Sequence, residues 1–389
     1  MIGVIGCSGD MPIQGFDLTD AEDIGIIDST GINKIALEIS FKDTAAVTGK
    51  SPLLLLGAFA NIEAQILLKF ENLPDSVVVT NAAIELKTST IIGNDSKSSF
   101  TATVHRITSD WDESKVKDET FGNAYDVNSI GMVEILSVDR EFFNNDSLIF
   151  ETVRIPLNTQ GVDLVNNWID TTSMVENNGV FIDFSNSHFI KEFFSNNNLS
   201  NQPRLELEVL KNGSERDTTS FIATADAFLV RSLSEPPAGP LYIDNVFSRQ
   251  SVIKFDLSEI PRESTINRAT LELNVYNQDN LLTDDGFTMQ IVRLSEPFSM
   301  PNTYRPDSSI TAILATVVKS TSTLSIPIAP IIQDWVTERI ENNGLIIRTG
   351  TPGRDVSRIA FISAEIDSTA APRVIVDFSV APSAPISNK

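Results

Sequence analysis

The sequence of 389 residues contains one cysteine and two histidines, so several kinds of chemistry lack their usual residues. A single cysteine excludes an internal disulfide. Zinc sites use three or four histidine, cysteine or acidic ligands, and the short histidine spacings of known zinc motifs are absent around His105 and His188. We therefore do not expect metal catalysis, and we interpret both histidines as structural or surface residues.

Long apolar runs and a surplus of basic residues are also missing. No run reaches the 18 or more apolar residues that a membrane-spanning helix needs. The 29 lysines and arginines stand against 52 acidic residues, which gives a formal net charge of −23. Because such a charge repels phosphate groups, we do not expect a nucleic acid as a partner.

Sequence signatures of common enzymes are absent as well. The sequence has no Gly-x-Ser-x-Gly elbow, no phosphate-binding glycine loop and no dinucleotide fingerprint. Among the many acidic residues, no pair stands out as the two carboxylates of a glycoside hydrolase. We therefore predict a protein that is not an enzyme.

The sequence repeats itself once. Residues Gln65–Leu73 recur as Gln250–Ser258. Further matches follow in the same order: Ser51–Phe59 with Gly239–Phe247, Asn81–Leu86 with Arg268–Leu273, Ile155-Pro156 with Ile326-Pro327, Glu176–Gly179 with Glu341–Gly344, and Pro203-Arg204 with Pro372-Arg373. The repeat predicts two copies of one domain. The predicted ranges are a start and tether at 1–28, a first domain at 29–212, a second domain at 213–380 and a disordered tail at 381–389.

Most of each copy has the pattern of half-buried β-strands. Apolar and polar residues alternate, or β-branched residues dominate, in seven segments: Val77–Val79, Ile84–Leu86, Ala102–Ile107, Leu205–Val209, Thr270–Tyr276, Phe287–Val292 and Arg373–Phe378. Gly179 and Gly344 each follow an Asn-Asn pair, where a turn needs a positive φ. The pattern predicts an all-β fold of two tandem antiparallel β-sandwich domains, jelly-roll-like in type.

One short helix is predicted in each copy. Apolar residues recur with a period of 3.6 residues over 162–169 and again over 331–340. Trp168 and Trp335 occupy matching positions in these segments, and we predict that both pack in the core.

The cysteine lies close to the start of the sequence. Val4-Ile5-Gly6-Cys7 resembles the lipobox of bacterial lipoproteins, in which the thiol carries a lipid. This resemblance implies a lipid at Cys7, a polar and acidic tether behind it, and a location at the cell surface, as an outer-membrane lipoprotein or as an extracellular protein. Membrane contact would then occur only through the lipid. The alternative is an incidental cysteine.

The landmarks of the two copies also resemble a known domain. Each copy has an apolar-Lys-Phe-acid phrase, at 69–71 and 254–256. Ala-x-Ile-x-Leu follows in the first copy and Ala-x-Leu-x-Leu in the second, and the first copy adds Trp111-Asp112-Glu113. Together they resemble the DNRLRE-type domain, which is related to the C-terminal module of methanogen disaggregatases and to a carbohydrate-binding module family. The resemblance covers about 36–210 and 221–380. It implies a jelly-roll sandwich on a secreted or surface bacterial protein, although Phe298 replaces the tryptophan in the second copy.

Exposed aromatic residues are the first candidates for a ligand site, because a ring covers the apolar face of a sugar. The aromatic candidates are Phe121, Tyr125, Phe142, Tyr242 and Tyr304, and Arg305 is a candidate to form hydrogen bonds with the sugar beside them. Asp110, Asp112 and Glu113 are candidate ligands for structural calcium, with a solvated acidic loop as the alternative. No other cofactor is expected. We predict a carbohydrate-binding or adhesive protein with a polysaccharide or other surface component as partner; the alternative is a spacer or assembly subunit of an extracellular matrix or surface complex.

Overall fold

The computed structural model describes residues 26–75, 77–93, 98–137, 142–144, 147–149, 151–211, 214–283, 286–299 and 304–380. Paired strands dominate, and all the strand pairs are antiparallel. The strands up to residue 232 are β1 (Ile26–Ile32), β2 (Ile35–Lys42), β3 (Leu53–Phe59), β4 (Ile62–Lys69), β5 (Val77–Ile92), β6 (Ser99–Ile107), β7 (Tyr125–Leu136), β8 (Phe142–Asn144), β9 (Ser147–Ile149), β10 (Thr152–Pro156), β11 (Val180–Ser185), β12 (Ile190–Phe194), β13 (Arg204–Lys211), β14 (Glu215–Ile222) and β15 (Ala225–Ser232).

The remaining strands belong to the second copy of the repeat. They are β16 (Leu241–Asp244), β17 (Arg249–Phe255), β18 (Thr265–Asn274), β19 (Phe287–Arg293), β20 (Ile313–Val317), β21 (Thr323–Pro327), β22 (Leu345–Thr349), β23 (Arg358–Phe361) and β24 (Arg373–Val380). The helices are α1 (Asp118–Phe121), α2 (Thr159–Ile169) and α3 (Ala329–Val336). No helix in the described part of the chain is long and apolar enough to span a bilayer.

The first sandwich has two sheets. Sheet 1a has the strand order β14-β13-β5-β10, and sheet 1b has the order β15-β4-β11-β6-β7. The long strand β5 continues beyond sheet 1a and reaches sheet 1b through β12 and β3. The inner faces of both sheets meet in one core, to which Ile84 of β5, Ile66 of β4 and Leu207 of β13 contribute fully buried side chains.

The second sandwich repeats this arrangement. Sheet 2a has the order β1-β24-β18-β21, and sheet 2b has the order β2-β17-β22-β19-β20. Its core includes Phe255, Leu271 and Ile347, all fully buried. Strand by strand, sheet 2a matches sheet 1a and sheet 2b matches sheet 1b. The predicted all-β fold with two antiparallel sandwiches is confirmed.

The predicted helices are present in both copies. In α2, the side chain of Asn166 accepts a hydrogen bond from Val79 N and donates one to Val79 O, so it continues the pairing of β5. In α3, Gln333 holds Ile266 and Ser264 at the start of β18 in the same way. Trp335 is buried in the second core and Trp168 packs against the first, as predicted.

Two strand pairs have positions that the repeat does not predict. We call residues 26–42, with β1 and β2, the N-terminal arch. We call residues 215–232, with β14 and β15, the central arch. Each arch places one of its strands in each of two facing sheets. The central arch completes the first sandwich. The N-terminal arch completes the second sandwich, where β1 pairs with β24 and β2 pairs with β17. We call residues 53–211 the first body and residues 241–380 the second body.

The sheets therefore cross the boundary that the repeat suggests between the ranges 29–212 and 213–380. By sequence, residues 26–28 of the N-terminal arch fall in the predicted tether and the rest falls in the first range, but the backbone of the arch pairs with the second body. The central arch falls in the second range and pairs with the first body. The difference arises because an edge strand pairs through its backbone, so its side-chain pattern does not specify which edge it joins.

Candidate functional site

Two of the predicted ligand residues cover the outer face of sheet 1b. Alternate residues of its strands point away from the core, and the loop 108–124 closes over them. There the Tyr125 ring lies 4.5 Å from the Phe181 ring, and Phe121 stacks parallel to Tyr125 at 6.4 Å. Phe121 is only 6% exposed and cannot offer a ring face to a ligand. Tyr125 is half-buried.

Trp111 belongs to the same cover. Its indole Nε1 donates to Asn178 O over 2.9 Å, which ties the loop to the turn before β11. In the second copy Phe298 takes the corresponding place and contacts Phe41 at 5.0 Å between ring centroids. The matched positions are therefore packing positions in both copies.

Tyr304 belongs to the second body and contacts the N-terminal arch. Its ring is 5.6 Å from the Phe41 ring, its hydroxyl donates to Asp43 Oδ2 over 2.7 Å, and Gln250 Nε2 donates to the hydroxyl over 2.9 Å. Burial and the Asp43 hydrogen bond raise the pKa of Tyr304. Tyr304 is therefore a contact that holds the arch in place.

The other predicted ligand residues are scattered. Tyr242 is 4% exposed, and its hydroxyl donates to Asp279 Oδ2 over 2.8 Å; burial raises its pKa, and Asp279 adds to this. Arg305 is exposed and pairs with Glu296 at 2.8 Å. The side chain of Phe142 and the whole of Cys7 lie outside the described residues. The structure does not bring the predicted aromatic residues together into one site.

The three carboxylates predicted to bind calcium have separate partners. Asp110 pairs with Lys69 at 3.1 Å, and that hydrogen bond lowers the pKa of Asp110. Asp112 pairs with Lys115 at 2.7 Å, which lowers the Asp112 pKa. Glu113 instead accepts a hydrogen bond from the backbone N of Asp226. Within the part of the chain that the structure describes, no group of three acidic, histidine or cysteine side chains is arranged to hold a metal ion.

Asp226 is a buried carboxyl that no sequence pattern singles out. It lies in β15 with 1% of its surface exposed, and its Oδ2 accepts a hydrogen bond from Asn196 N. Burial raises the Asp226 pKa to about 7 against the effect of that hydrogen bond, and the nearby Glu113 charge acts in the same direction as burial.

The largest of the pockets described here is a groove of about 520 Å³ between the two bodies. The first body contributes Phe59 at the end of β3 and the end of β5; the second body contributes the single-turn 3-10 helix Asn277–Asp279 and the chain after it. The lining residues are Phe59, Thr90, Ile91, Ile92, Gly93, Asn277, Asn280, Leu281, Leu282, Thr283 and Lys319. The groove adjoins a second pocket of about 350 Å³ at Thr90 and Thr283.

The wall of this inter-body groove combines an aromatic ring with polar groups. Phe59 is half-buried, and its ring lies against the backbone of Gly93, where an added Cβ would meet the ring at 3.0 Å. Asn277 is exposed at the rim, and Lys319 is the one base among the described lining residues. Apolar surface with a few hydrogen-bonding groups around it is the usual composition of a ligand pocket.

No sequence pattern predicts this groove, because its two walls come from residues far apart in the chain. The local signal is the amide-rich run Asn277-Gln278-Asp279-Asn280, which begins three residues after the last residue of β18. Nothing in the sequence places that run beside Phe59, since their proximity depends on how the two bodies pack.

Comparisons with known proteins identify no family for this chain. No protein-family model matches it, and no curated protein matches it. A solved structure of the Streptococcus agalactiae AgI/II polypeptide BspA C-terminal domain aligns over 91% of both chains at 10% identity, with a TM-score of 0.18. Another, titled BspA_C_WT, aligns over 86% of this chain and 87% of its own at 9% identity, with a TM-score of 0.17. At these scores the likeness carries no argument about function.

Proposed function

We propose that this protein is a non-enzymatic adhesive protein of the bacterial cell surface whose inter-body groove binds a polysaccharide segment. The observation that carries the proposal is the groove itself, which the half-buried Phe59 lines from the first body and Asn277 lines from the second body. A pyranose presents an apolar face and a rim of hydroxyl groups, which suit a ring and an amide respectively.

Two further features support the surface location. The lipobox-like Val4-Ile5-Gly6-Cys7 supports attachment by a lipid, and the net charge of −23 supports solubility outside the cell. The resemblance to the DNRLRE-type domain supports a sugar as the ligand. Structural calcium remains a prediction, to be tested with the ligand.

The test is a glycan-array screen of the purified chain with and without calcium, using acidic and neutral polysaccharides. We expect saturable binding that is weakened by Asn277→Ala at the rim and by Phe59→Ala in the wall. Asn123→Ala, an exposed asparagine on the loop over sheet 1b, is the matched control. A screen without any saturable hit contradicts the proposal.

The same variants locate the site. If Tyr125→Ala abolishes binding and Asn277→Ala leaves it unchanged, the ligand lies on the outer face of sheet 1b and the groove assignment is wrong. Tyr304→Ala is less informative, because Tyr304 also holds the N-terminal arch.

A second candidate function is a rigid spacer or assembly subunit. One observation favours it: a strand pair from before the first body completes the sandwich of the second body, which ties both sandwiches into one unit. Absence of glycan binding, together with a single particle shape in X-ray scattering at low and high salt, would favour this function over the first.

A further inference from the structure

The N-terminal arch forms two edges of the second sandwich. Its register with β24 runs from Ile26 opposite Val380 to Ile32 opposite Val374, and its register with β17 includes Ser40 opposite Ser251. Ile32 is 2% exposed within the second core. Without the arch, the second body would expose two unpaired strand edges and part of its core. The second body therefore requires an arch.

The arch stays attached to the first body through residues 43–52, which make hydrogen bonds to both bodies. Ala46 N donates to Val246 O of the second body over 2.9 Å, whereas Ser195 Oγ of the first body donates to Ser51 O over 2.6 Å. The side chain of Ser51 donates to Arg354 O over 2.6 Å. The first body and the N-terminal arch therefore form one docking surface for the second body.

The covalent connection to the second body is a different segment, residues 233–240, which we call the linker. It contains Pro236, Pro237 and Pro240, and much of it is exposed. A pocket of about 410 Å³ lies between the linker and β2. Proline-rich linkers adopt extended conformations. Most of the linker is exposed, and its side chains reach the rest of the chain through the ion pairs of Glu235 with Arg249 and Lys42. The docking surface, with two full strand pairs, is more extensive.

We propose that the second body of one copy docks on the N-terminal arch of another copy, so that chains join through exchanged second bodies. The second body that pairs with the arch then comes from a second copy of this chain. The contacts between the two copies are the same as those that form within one chain. Exchange of an identical element is a low-cost route to assembly, and a high local concentration favours it. Reciprocal exchange gives a closed dimer, and sequential exchange gives a head-to-tail chain. This inference goes beyond glycan binding and does not depend on it.

A cysteine pair across the arch tests the proposal. The side chains of Ser40 and Ser251 both reach Tyr242 O, at 3.5 and 3.1 Å. Opposed residues in an antiparallel pair have Cα atoms about 4.5–5.5 Å apart, within the range that a disulfide spans. In a Cys7→Ser background, one chain carries only Ser40→Cys and a second carries only Ser251→Cys. The two are mixed unfolded, refolded together at high concentration and oxidised.

We expect a disulfide-linked heterodimer, several-fold above the amount formed with the control pair Ser40→Cys and Ser308→Cys, in which Ser308 is an exposed serine of the second body. Circular dichroism checks that each variant folds. A heterodimer yield equal to that of the control overturns the proposal. A chain that carries both Ser40→Cys and Ser251→Cys should instead form the bond within one copy at low concentration.

A linker variant gives an independent measurement. Deletion of residues 236–238 shortens the connection, so that docking within one chain is hindered while docking between chains is not. We expect the dimer fraction, measured by light scattering after size-exclusion chromatography, to rise above that of the unaltered chain. A folded variant that stays monomeric at every concentration contradicts the proposal.

Discussion

The turn before β11 shows how far single residues of this chain could be interpreted from sequence. Gly179 has φ +83° and Gly344 has φ +92°, as the two Asn-Asn-Gly triplets predict. In each copy the amide of the first asparagine bridges the turn: Asn177 donates to Phe70 O, and Asn342 donates to Phe255 O. These positions were predictable because the backbone conformation itself selects the residue type.

Replacing the first of these glycines should be costly. A Cβ at residue 179 would lie 2.1 Å from Leu68 O, whereas one at residue 344 would lie 2.9 Å from Ile253 O. Since positive φ alone costs about 1–3 kcal/mol, we expect Gly179→Ala to lower the free energy of unfolding by more than that, and by more than Gly344→Ala. Denaturant unfolding measures both. Gly122→Ala is the control, because Gly122 has positive φ with open space around it; equal losses at 179 and 122 would contradict the steric argument.

Asp226 should make stability depend on pH. Its folded pKa of about 7 lies above that of an unfolded aspartate, near 3.8, so the folded state binds more protons between these values. Its contribution to stability is therefore fully present below about pH 4 and is lost as the pH rises through 7. The side chain in Asp226→Asn stays neutral and keeps an oxygen that can accept the hydrogen bond from Asn196 N. We therefore expect the stability of the variant, compared with that of the unaltered chain at the same pH, to increase from pH 5 to pH 8.

Thermal unfolding of both proteins across that pH range checks this expectation. The control is Asp75→Asn, at an exposed position. The difference in stability between this variant and the unaltered chain should not change with pH. A flat difference for Asp226→Asn as well would show that the carboxyl is already ionised in the folded protein at pH 5.

The predicted ligand residues show where residue-level interpretation fails. Phe121 lies outside the matched segments of the repeat and Tyr242 lies within one of them, Gly239–Phe247, and both are buried. Their exposure depends on loops that fold over a sheet, and an isolated aromatic residue has the same appearance in a sequence whether its ring faces solvent or a neighbouring strand.

At the scale of elements, the hydrophobic periodicity predicted whether most segments are strands or helices. It did not predict which strands pair with each other. The helix predicted over 162–169 is α2, and the one predicted over 331–340 is α3, which ends earlier, at Val336, where Thr337 N bonds to Gln333 O. The strand pattern is the same whichever edge a strand joins. This is why the exchanged positions of the two arches could not be predicted.

A substitution in the N-terminal arch should destabilise the second sandwich selectively. Ile32 places its side chain in the second core although it precedes the first body in sequence. We expect Ile32→Ala to cost about 2–4 kcal/mol and to reduce hydrogen-exchange protection in β24 and β18, with β13 and β5 largely unchanged. The control is the exposed Asn33→Ala. Loss of protection confined to the first sandwich would contradict the observed pairing.

At the scale of the whole molecule, the repeat predicted two sandwiches but not how they are joined. Their union rests on the N-terminal arch and on residues 43–52, and the groove of the proposed function exists only because of that union. The two bodies pack through contacts between residues far apart in the sequence. The alternation of apolar and polar residues along the chain does not predict such contacts.

Cutting the linker should therefore leave the two fragments bound to each other. With a specific protease site placed between Pro237 and Gly239, we expect the two fragments to elute together at the mass of the uncut chain and to separate only in denaturant, because the arch still pairs with β24 and β17. Adding Phe41→Ala, which removes a buried ring from the arch contact, should loosen the cut complex. Separation of the unaltered fragments in plain buffer would show that the linker holds the second body.

The pairing of Ile26 with Val380 places two distant points of the chain side by side, with Cα atoms about 4.5–5.5 Å apart. If a short turn joined them and the chain were opened within 233–239, the order would become second body, N-terminal arch, first body, central arch. Every body would then be followed directly by the arch that completes it. The natural order is thus a circular permutation of a regular two-unit array, and the permuted chain should fold to the same structure.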